Sequence, residues 1–230
     1  MVIGIITAMS EELEPMLGHM ELENTVEKAK MSFHSGILFG RKVVAVVSGI
    51  GKVNAGICAQ ILIDDFHVNN IINIGIAGGT GENVLPGDIV VADDLVQHDM
   101  DTTAFGDALG QVPRVDTFAF PCSDRLIKKA IKACGCIKEH NCFVGRIVTG
   151  DQFINHPDKL KWLSENFGAL ACEMEGGSIA QVCYLNDVPF VVIRSISDNG
   201  NIGIHMDYEI FKPIAIDNST RILISMLSDS

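Results

Sequence analysis

Basic residues are scarce in this chain. Its 17 lysines and arginines face 29 aspartates and glutamates, which leaves a net charge of -12 over 230 residues. No basic stripe exists to release counterions from a phosphate backbone, so nucleic acid is excluded as a partner. Long apolar runs are missing too. None approaches the roughly 20 residues that span a bilayer, so no membrane segment is expected. The opening MVIGIITAMSEELEP lacks a basic start and meets Glu11 and Glu12. It reads as a first strand rather than an export signal. The cysteines are odd in number, seven, and most sit in apolar segments. Unpaired buried thiols in a reducing compartment, the cytoplasm, follow from that.

Several motifs are absent as well. Cys134-Gly-Cys136 has the spacing of neither a redox pair nor a zinc knuckle. Gly75-Ile-Ala-Gly78-Gly79-Thr-Gly81 is not the dinucleotide fingerprint, and Gly49-Ile-Gly51-Lys52 is not a phosphate-binding P-loop. No G-x-S-x-G elbow supports a serine nucleophile. Cys172 lies in an apolar strand, against a thiolate role. His98-Asp99-Met-Asp101 is one local run, whereas metal ligands converge from several elements. No metal and no cofactor is expected.

What is present is alternation. With 47% hydrophobic residues, the chain can bury a sizeable core. Val2–Ile6 reads as a strand, and Ser10 caps a helix whose first turn holds Glu11 and Glu12. Ser32–Phe39 and Lys42–Val47 flank Gly40-Arg41 as a hairpin. Gly51–Phe66 is helical, with Val53, Ile57, Ile61 and Leu62 as its apolar face. Strands are expected over Asn70–Ile76, Asp88–Val96, Cys142–Thr149, Ala169–Glu173 and Pro189–Ser195. Helices are expected over Ser123–Cys134, His156–Phe167, Gly176–Leu185 and Tyr208–Leu227, the last interrupted by Pro213, with an irregular stretch from His98 to Pro121. Pro157 suits the start of its helix. The pattern predicts an α/β fold with a mixed, mostly parallel twisted sheet flanked by helices. No linker or repeat interrupts residues 1–230, which read as a single domain.

In such sheets, ligands bind outside the carboxyl ends of the strands. Met9 and Glu12 follow the first strand. Ile50 follows the Lys42 strand, and Gly78 with its neighbours the Asn70 strand. Phe153 and Ile154 follow the Cys142 strand, Glu173, Met174 and Glu175 the Ala169 strand, and Ser197 and Asp198 the Pro189 strand. Each acid alone has an ordinary explanation. Glu12 suits a helix N-terminus, Glu173-Met-Glu175 could be a plain strand exit, and Asp198 could close an Asx turn. Three acids at separate strand ends point instead to one crevice. The glycine loop would let a flat ring approach the backbone.

The segments IGIITAMSEEL, SGIGKVNAG, IINIGIAGG, GDIVVAD, HDMDTTAFG, GDQFIN, CEMEGGSIA and VPFVVIRSISD run in this order through nearly the whole chain. In that combination the sequence resembles the 5'-methylthioadenosine/S-adenosylhomocysteine nucleosidases of the nucleoside phosphorylase superfamily. The resemblance implies hydrolysis of the N-glycosidic bond of these adenine nucleosides, and of 5'-deoxyadenosine, without a cofactor. It makes Glu12 the base that activates water and Asp198 the acid that protonates adenine at N7. Glu175 would hold the ribose hydroxyls, with Met174 packed on the sugar. Phe153 would stack on adenine while the Ile154 backbone reads its edge. Met9, Ile50 and Tyr208 would line the sugar and the 5'-alkylthio pocket, and Gly78, Glu173 and Ser197 complete the set. Phe105 and Pro113 would come from the other subunit of a homodimer.

Asp198 would need a raised pKa to donate at neutral pH, which a half-buried place near Phe153 and Ile196 could supply. Phosphorylases of this superfamily hold phosphate with arginines near the first strand and central glycine loop. This chain has none before Arg41 and none in IINIGIAGG, which favours water. The chain departs from the usual pattern at Ile76, normally small and polar, at Asp107 and Leu109, and in Asn199-Gly-Asn-Ile-Gly203. A related aminodeoxyfutalosine nucleosidase, a purine nucleoside phosphorylase and a catalytically degenerate nucleoside-binding protein remain the alternatives.

Overall fold

The structure, a computed structural model, describes residues 1–199 and 204–228. Of the glycine-rich departure noted above, positions 200–203 lie outside the described residues. The chain runs β1 (Val2–Thr7), α1 (Ser10–Leu17), β2 (Glu21–Lys28), β3 (Met31–Leu38), β4 (Arg41–Val47) and α2 (Lys52–Asp64). It continues through β5 (Asn70–Gly79), β6 (Ile89–Gln97), β7 (Phe120–Pro121), α3 (Asp124–Cys134) and β8 (Cys142–Thr149). Then follow α4 (Pro157–Phe167), β9 (Ala171–Glu173), α5 (Gly176–Leu185), β10 (Phe190–Asp198) and α6 (Ile204–Ser228).

The expected architecture is present. β1 pairs in parallel with β4 and β5, and β5 in parallel with β10. β6, β8 and β9 form a second parallel set. Antiparallel pairings of β10 with β6 and of β5 with β9 join the two sets. Strands β5, β10, β6, β8 and β9 thereby close into a ring, while β4, β3 and β2 extend from β1 as an open wing. Helix α2 packs on α5, and α6 on β10, β5, α1 and α3. Sandwiched strands are apolar without alternation because both faces are covered. Every residue of β10 is buried, and Ile71, Ile72 and Ile74 of β5 belong to the same core.

Two expectations need correction. Strand β2 was not foreseen. Its sequence ELENTVEK is exposed at every position, and it pairs only with β3. An edge strand dressed in charge carries no apolar signal and resists pairing with other chains. Helix α2 forms as expected, but its buried face is Ala55, Cys58, Ala59 and Leu62. Val53 is 72% exposed and Ile57 is 44% exposed. The four-residue spacing identified a helix but assigned the wrong stripe to this chain's core.

Leu62 sits on β1 where Gly4 leaves room: a Cβ on Gly4 would lie 3.2 Å from Leu62 Cδ1. Leu62→Ala opens a void in that contact and is expected to lower unfolding free energy by about 2–5 kcal/mol in urea titration.

Candidate active site

One cavity collects the carboxyl ends of β1, β5, β8, β9 and β10. It is lined by Met9, Glu12, Ile50, Gly78, Phe153, Ile154, Glu173, Met174, Glu175, Ser197, Asp198 and Tyr208. All residues proposed from strand-end position are thus brought together, and Tyr208 reaches in from α6. Phe105 and Pro113 do not line it. Phe105 is 89% exposed, at the end of a short 3-10 turn, Thr103–Phe105.

Glu12 is buried although it stands in the first turn of α1. Its Oε2 accepts the amides of Ala8 and Met9, both at 2.9 Å. Its Oε1 accepts the Ile76 amide at 3.0 Å. The helix start thus points the carboxylate inward, where it also meets β5. Gly75 makes that meeting possible, since a Cβ there would lie 2.6 Å from Glu12 Oε1 and 3.0 Å from Arg194 Nη1. The backbone at Ile76 serves Glu12 whatever the side chain, while that side chain lines the cavity.

Asp198 lies at the end of β10, past a register shift between Ile196 and Asp198. Such bulges re-aim a side chain next to a site. Ser197 Oγ donates to Asp198 Oδ2 at 2.9 Å. Gly78 opposes the carboxyl closely: its Cβ would be 3.3 Å from Asp198 Oδ1. Asp198 is 2% exposed and Ile196 is fully enclosed, so the acid is buried rather than half-buried. Phe153, 56% exposed, sits at the mouth and meets the Tyr208 ring edge-on at 6.3 Å between centroids.

Arg194 was not singled out from sequence, yet it joins the acids. It is 1% exposed. Its Nη2 donates to Glu173 Oε2 and, at 2.7 Å, to Asn73 Oδ1, and lies 3.7 Å from Glu175 Oε2. Glu173 lines the cavity, but its oxygens are engaged by the Thr149 hydroxyl, Arg194 and the amides of Glu175 and Gly176. It anchors the site rather than offering an open acceptor. Glu175 accepts the Gly51 amide at 2.9 Å through Oε1. Asp99, from the His98 run, is used structurally: it pairs with Lys52 Nζ at 2.6 Å and accepts the Asp151 amide.

Burial sets the charge states. It pushes Glu12 above the ordinary carboxyl range, against the pull of Arg194 and three amides. Burial, reinforced by Glu173, lifts Glu175 to about 7, with Arg194 and the Gly51 amide opposing. Burial would also discharge Arg194, but Glu173, Glu175 and Glu12 hold its pKa up. Two carboxyl groups with raised proton affinity beside a fixed cation form an acid–base site.

The sequence model of the phosphorylase superfamily matches residues 2–228. The 5'-methylthioadenosine/S-adenosylhomocysteine nucleosidase of Shewanella pealeana is 41% identical over 99% of both chains. That of Staphylococcus aureus is 40% identical over 98% of this chain and 99% of its own. Among solved structures, the Neisseria meningitidis nucleosidase in complex with methylthio-immucillin-A superposes with a TM-score of 0.94 at 33% identity. That match covers 99% of this chain and 98% of the other. The futalosine hydrolase of Helicobacter pylori superposes at 0.91 with 32% identity, over 98% and 97%.

The charge cluster has a consequence for stability. A carboxyl with a raised folded-state pKa favours the fold while protonated, and loses that contribution as pH climbs from its ordinary 4.5 toward about 7. Glu175→Gln keeps an acceptor for the Gly51 amide but cannot ionise. It is expected to melt above the parent at about pH 8, with the gain shrinking toward about pH 5, by calorimetry at both values.

Proposed function

The chain belongs to the phosphorylase superfamily, and from that premise and its cavity we infer that it hydrolyses the N-glycosidic bond of 5'-methylthioadenosine and S-adenosylhomocysteine, releasing adenine. The observation that carries the reading is the meeting of Glu12, Glu175 and Asp198 in one cavity whose mouth holds Phe153 and Tyr208.

Cleaving an N-ribosidic bond builds positive charge on the ribose, as in glycoside hydrolysis. Adenine stacks on Phe153, with the Ile154 backbone at its edge and Gly78 allowing close approach. Asp198, steadied by Ser197, protonates N7 so that the base leaves as a neutral group. Glu175 takes the ribose hydroxyls, Met174 packs on the sugar, and its negative charge favours the cationic transition state. Glu12 removes a proton from the attacking water. A carboxylate raised above its ordinary pKa is a better base near neutrality, provided it is ionised. Met9, Ile50 and Tyr208 give the 5'-substituent an apolar slot, which suits a thioether and also 5'-deoxyadenosine.

Water is favoured over phosphate on electrostatic grounds. Arg194, the cation of the cavity, already faces Glu173 and Glu175. A phosphate entering beside Glu12 would meet carboxylates with no uncommitted guanidinium. The pocket is completed in a homodimer by Phe105 and Pro113 of a second copy. The exposed Ile50, Val53 and Ile57 offer that copy an apolar face.

Adenine release from 5'-methylthioadenosine is expected to proceed at the same rate with and without phosphate. A strict phosphate requirement would identify a phosphorylase, and binding without turnover a sensor. Asp198→Asn and Glu12→Gln should each lower kcat by roughly a hundred- to ten-thousand-fold with little change in melting temperature. Wild-type rates would remove the residue from its role. In the parent, kcat/KM should fall as pH drops through a value above the ordinary carboxyl range, reporting Glu12. Light scattering in dilute solution should give the mass of two chains; the mass of one contradicts the shared pocket.

A further inference from the structure

Phe153 and Ile154 reach the cavity from a segment that the sheet does not hold. Residues 151–153 are exposed and lie in no helix or strand, between β8 and α4. Burial therefore does little to fix the aromatic ring that is to stack on adenine. A second segment, Ile50 and Gly51, leads into α2. Ile50 lines the cavity, and the Gly51 amide donates to Glu175 Oε1 at 2.9 Å. Base and ribose are thus served by two segments far apart in the chain.

One ring of hydrogen bonds joins the two. The Lys52 amide donates to Asp151 Oδ1 at 2.8 Å. The Asp151 amide donates to Asp99 Oδ2 at 2.9 Å. Asp99 Oδ1 closes the ring by accepting Lys52 Nζ at 2.6 Å. Gly51 gives α2 no side-chain cap, so Asp151 caps the helix from another segment. Gly51 stands at φ 98°, and a Cβ there would lie 3.2 Å from Asp151 Oδ1. Asp99 is itself anchored. The amide of His98, the residue before it, donates to Thr149 O at 2.9 Å, and a Cβ on Gly150 would lie 3.2 Å from Asp99 Cγ. The Lys52 and Asp99 side chains are only 17% and 16% exposed, and a charge-assisted bond so placed is stronger than one in open water. Burial would raise the Asp99 pKa, yet Lys52 and the Asp151 amide hold it below the ordinary carboxylate range.

We propose that Asp99, Lys52 and Asp151 are positioning residues for the nucleosidase reaction, their ring holding the Phe153 segment and the Gly51 amide in a fixed relation. The inference rests on the hydrolysis of adenine nucleosides proposed above. None of the three residues lines the cavity. They act through others: Phe153 and Ile154 on adenine, and Glu175, steadied by Gly51, on ribose. A shift of either segment misplaces a group at the reacting bond without removing it, and a misplacement of about 1 Å can cost roughly a hundredfold in rate. Asparagine in place of Asp99 breaks the ring with little change of shape. It offers one acceptor oxygen where two N–H donors need one each, and its own NH2 faces a donor.

The test measures kcat, KM and the dissociation constant of adenine for Asp99→Asn, Lys52→Met, Asp151→Ala and the double variant Asp99→Asn/Lys52→Met, with melting temperature as the check on folding. Asp151 is exposed, so its variant keeps the fold even where a partly buried one does not. Each single variant is expected to lower kcat/KM by about tenfold to a hundredfold and to weaken adenine binding. The double variant should be no worse than either single, because one break opens the ring. Folded variants with the parent's kcat/KM and adenine affinity would overturn the proposal, since a merely structural pair lowers the melting temperature alone. So would a double variant whose loss is the product of the two single losses. A parent that binds adenine but releases none from any nucleoside fails the hydrolase reading instead, and the variants' adenine affinities then still decide the positioning role.

Discussion

A guanidinium sealed from water must find its counter-charges inside the protein, and Arg194 finds them in Glu173 and Glu175. Much of the site is arranged around that requirement. Glu173 brings β9 to Arg194 and, through Thr149, ties it to the end of β8. Its contacts with the amides of Glu175 and Gly176 fix the start of α5. Asn73 brings in β5, and the missing side chain at Gly75 lets Glu12 and Arg194 come close. Removing Arg194 would leave buried carboxylates without their cation, which costs more than the pair itself contributes. The arrangement is one unit, not a set of separable contacts.

That unit also decides the chemistry. Burial in a place of low dielectric raises the proton affinity of Glu12 and Glu175 in spite of Arg194, and at Glu175 the neighbouring Glu173 adds to the rise. Negative charge beside the sugar suits a leaving nucleobase and a cationic ribose. It disfavours an anionic nucleophile. The same electrostatics thus favours the transition state and selects water, without a metal being called for. Asp198 stands apart, at a bulge on β10 against Gly78, where it can face the base rather than the sugar.

Much of this was legible from residues alone. Strands such as VIGIIT and FVVIRSISD are buried on both faces and announce themselves by unbroken apolarity. The rule that ligands sit at carboxyl strand ends then located Glu12, Glu175 and Asp198 without any alignment. What stayed hidden obeys a different physics. Strand β2 forms because β3 offers it an edge, and no local signal in ELENTVEK says so. Arg194 was visible as a lone charge in an apolar strand. Such a residue demands buried carboxylates, and that signal was passed over. Glu173 and Glu175 differ by two positions, yet one is saturated by the fold and the other keeps an oxygen toward the cavity. Only three-dimensional hydrogen bonding separates them.

The face of α2 carries the remaining argument. Val53 and Ile57 repeat at helical spacing, as core residues do, yet this chain leaves them exposed. Nearby Ile50 is 54% exposed although it lines the cavity, and Phe105 is the most open large apolar side chain of the described residues. Apolar groups with core-like spacing and no core to enter are what a docking surface presents, and the proposed homodimer would use them. Ile50 touches both that surface and the cavity. A second copy seated there would shield the outer side of the substrate slot from water, which strengthens every charge interaction inside it. In the proposed homodimer, association and catalysis would share one cause: the residues that find no core within one chain would be the ones that close its active site.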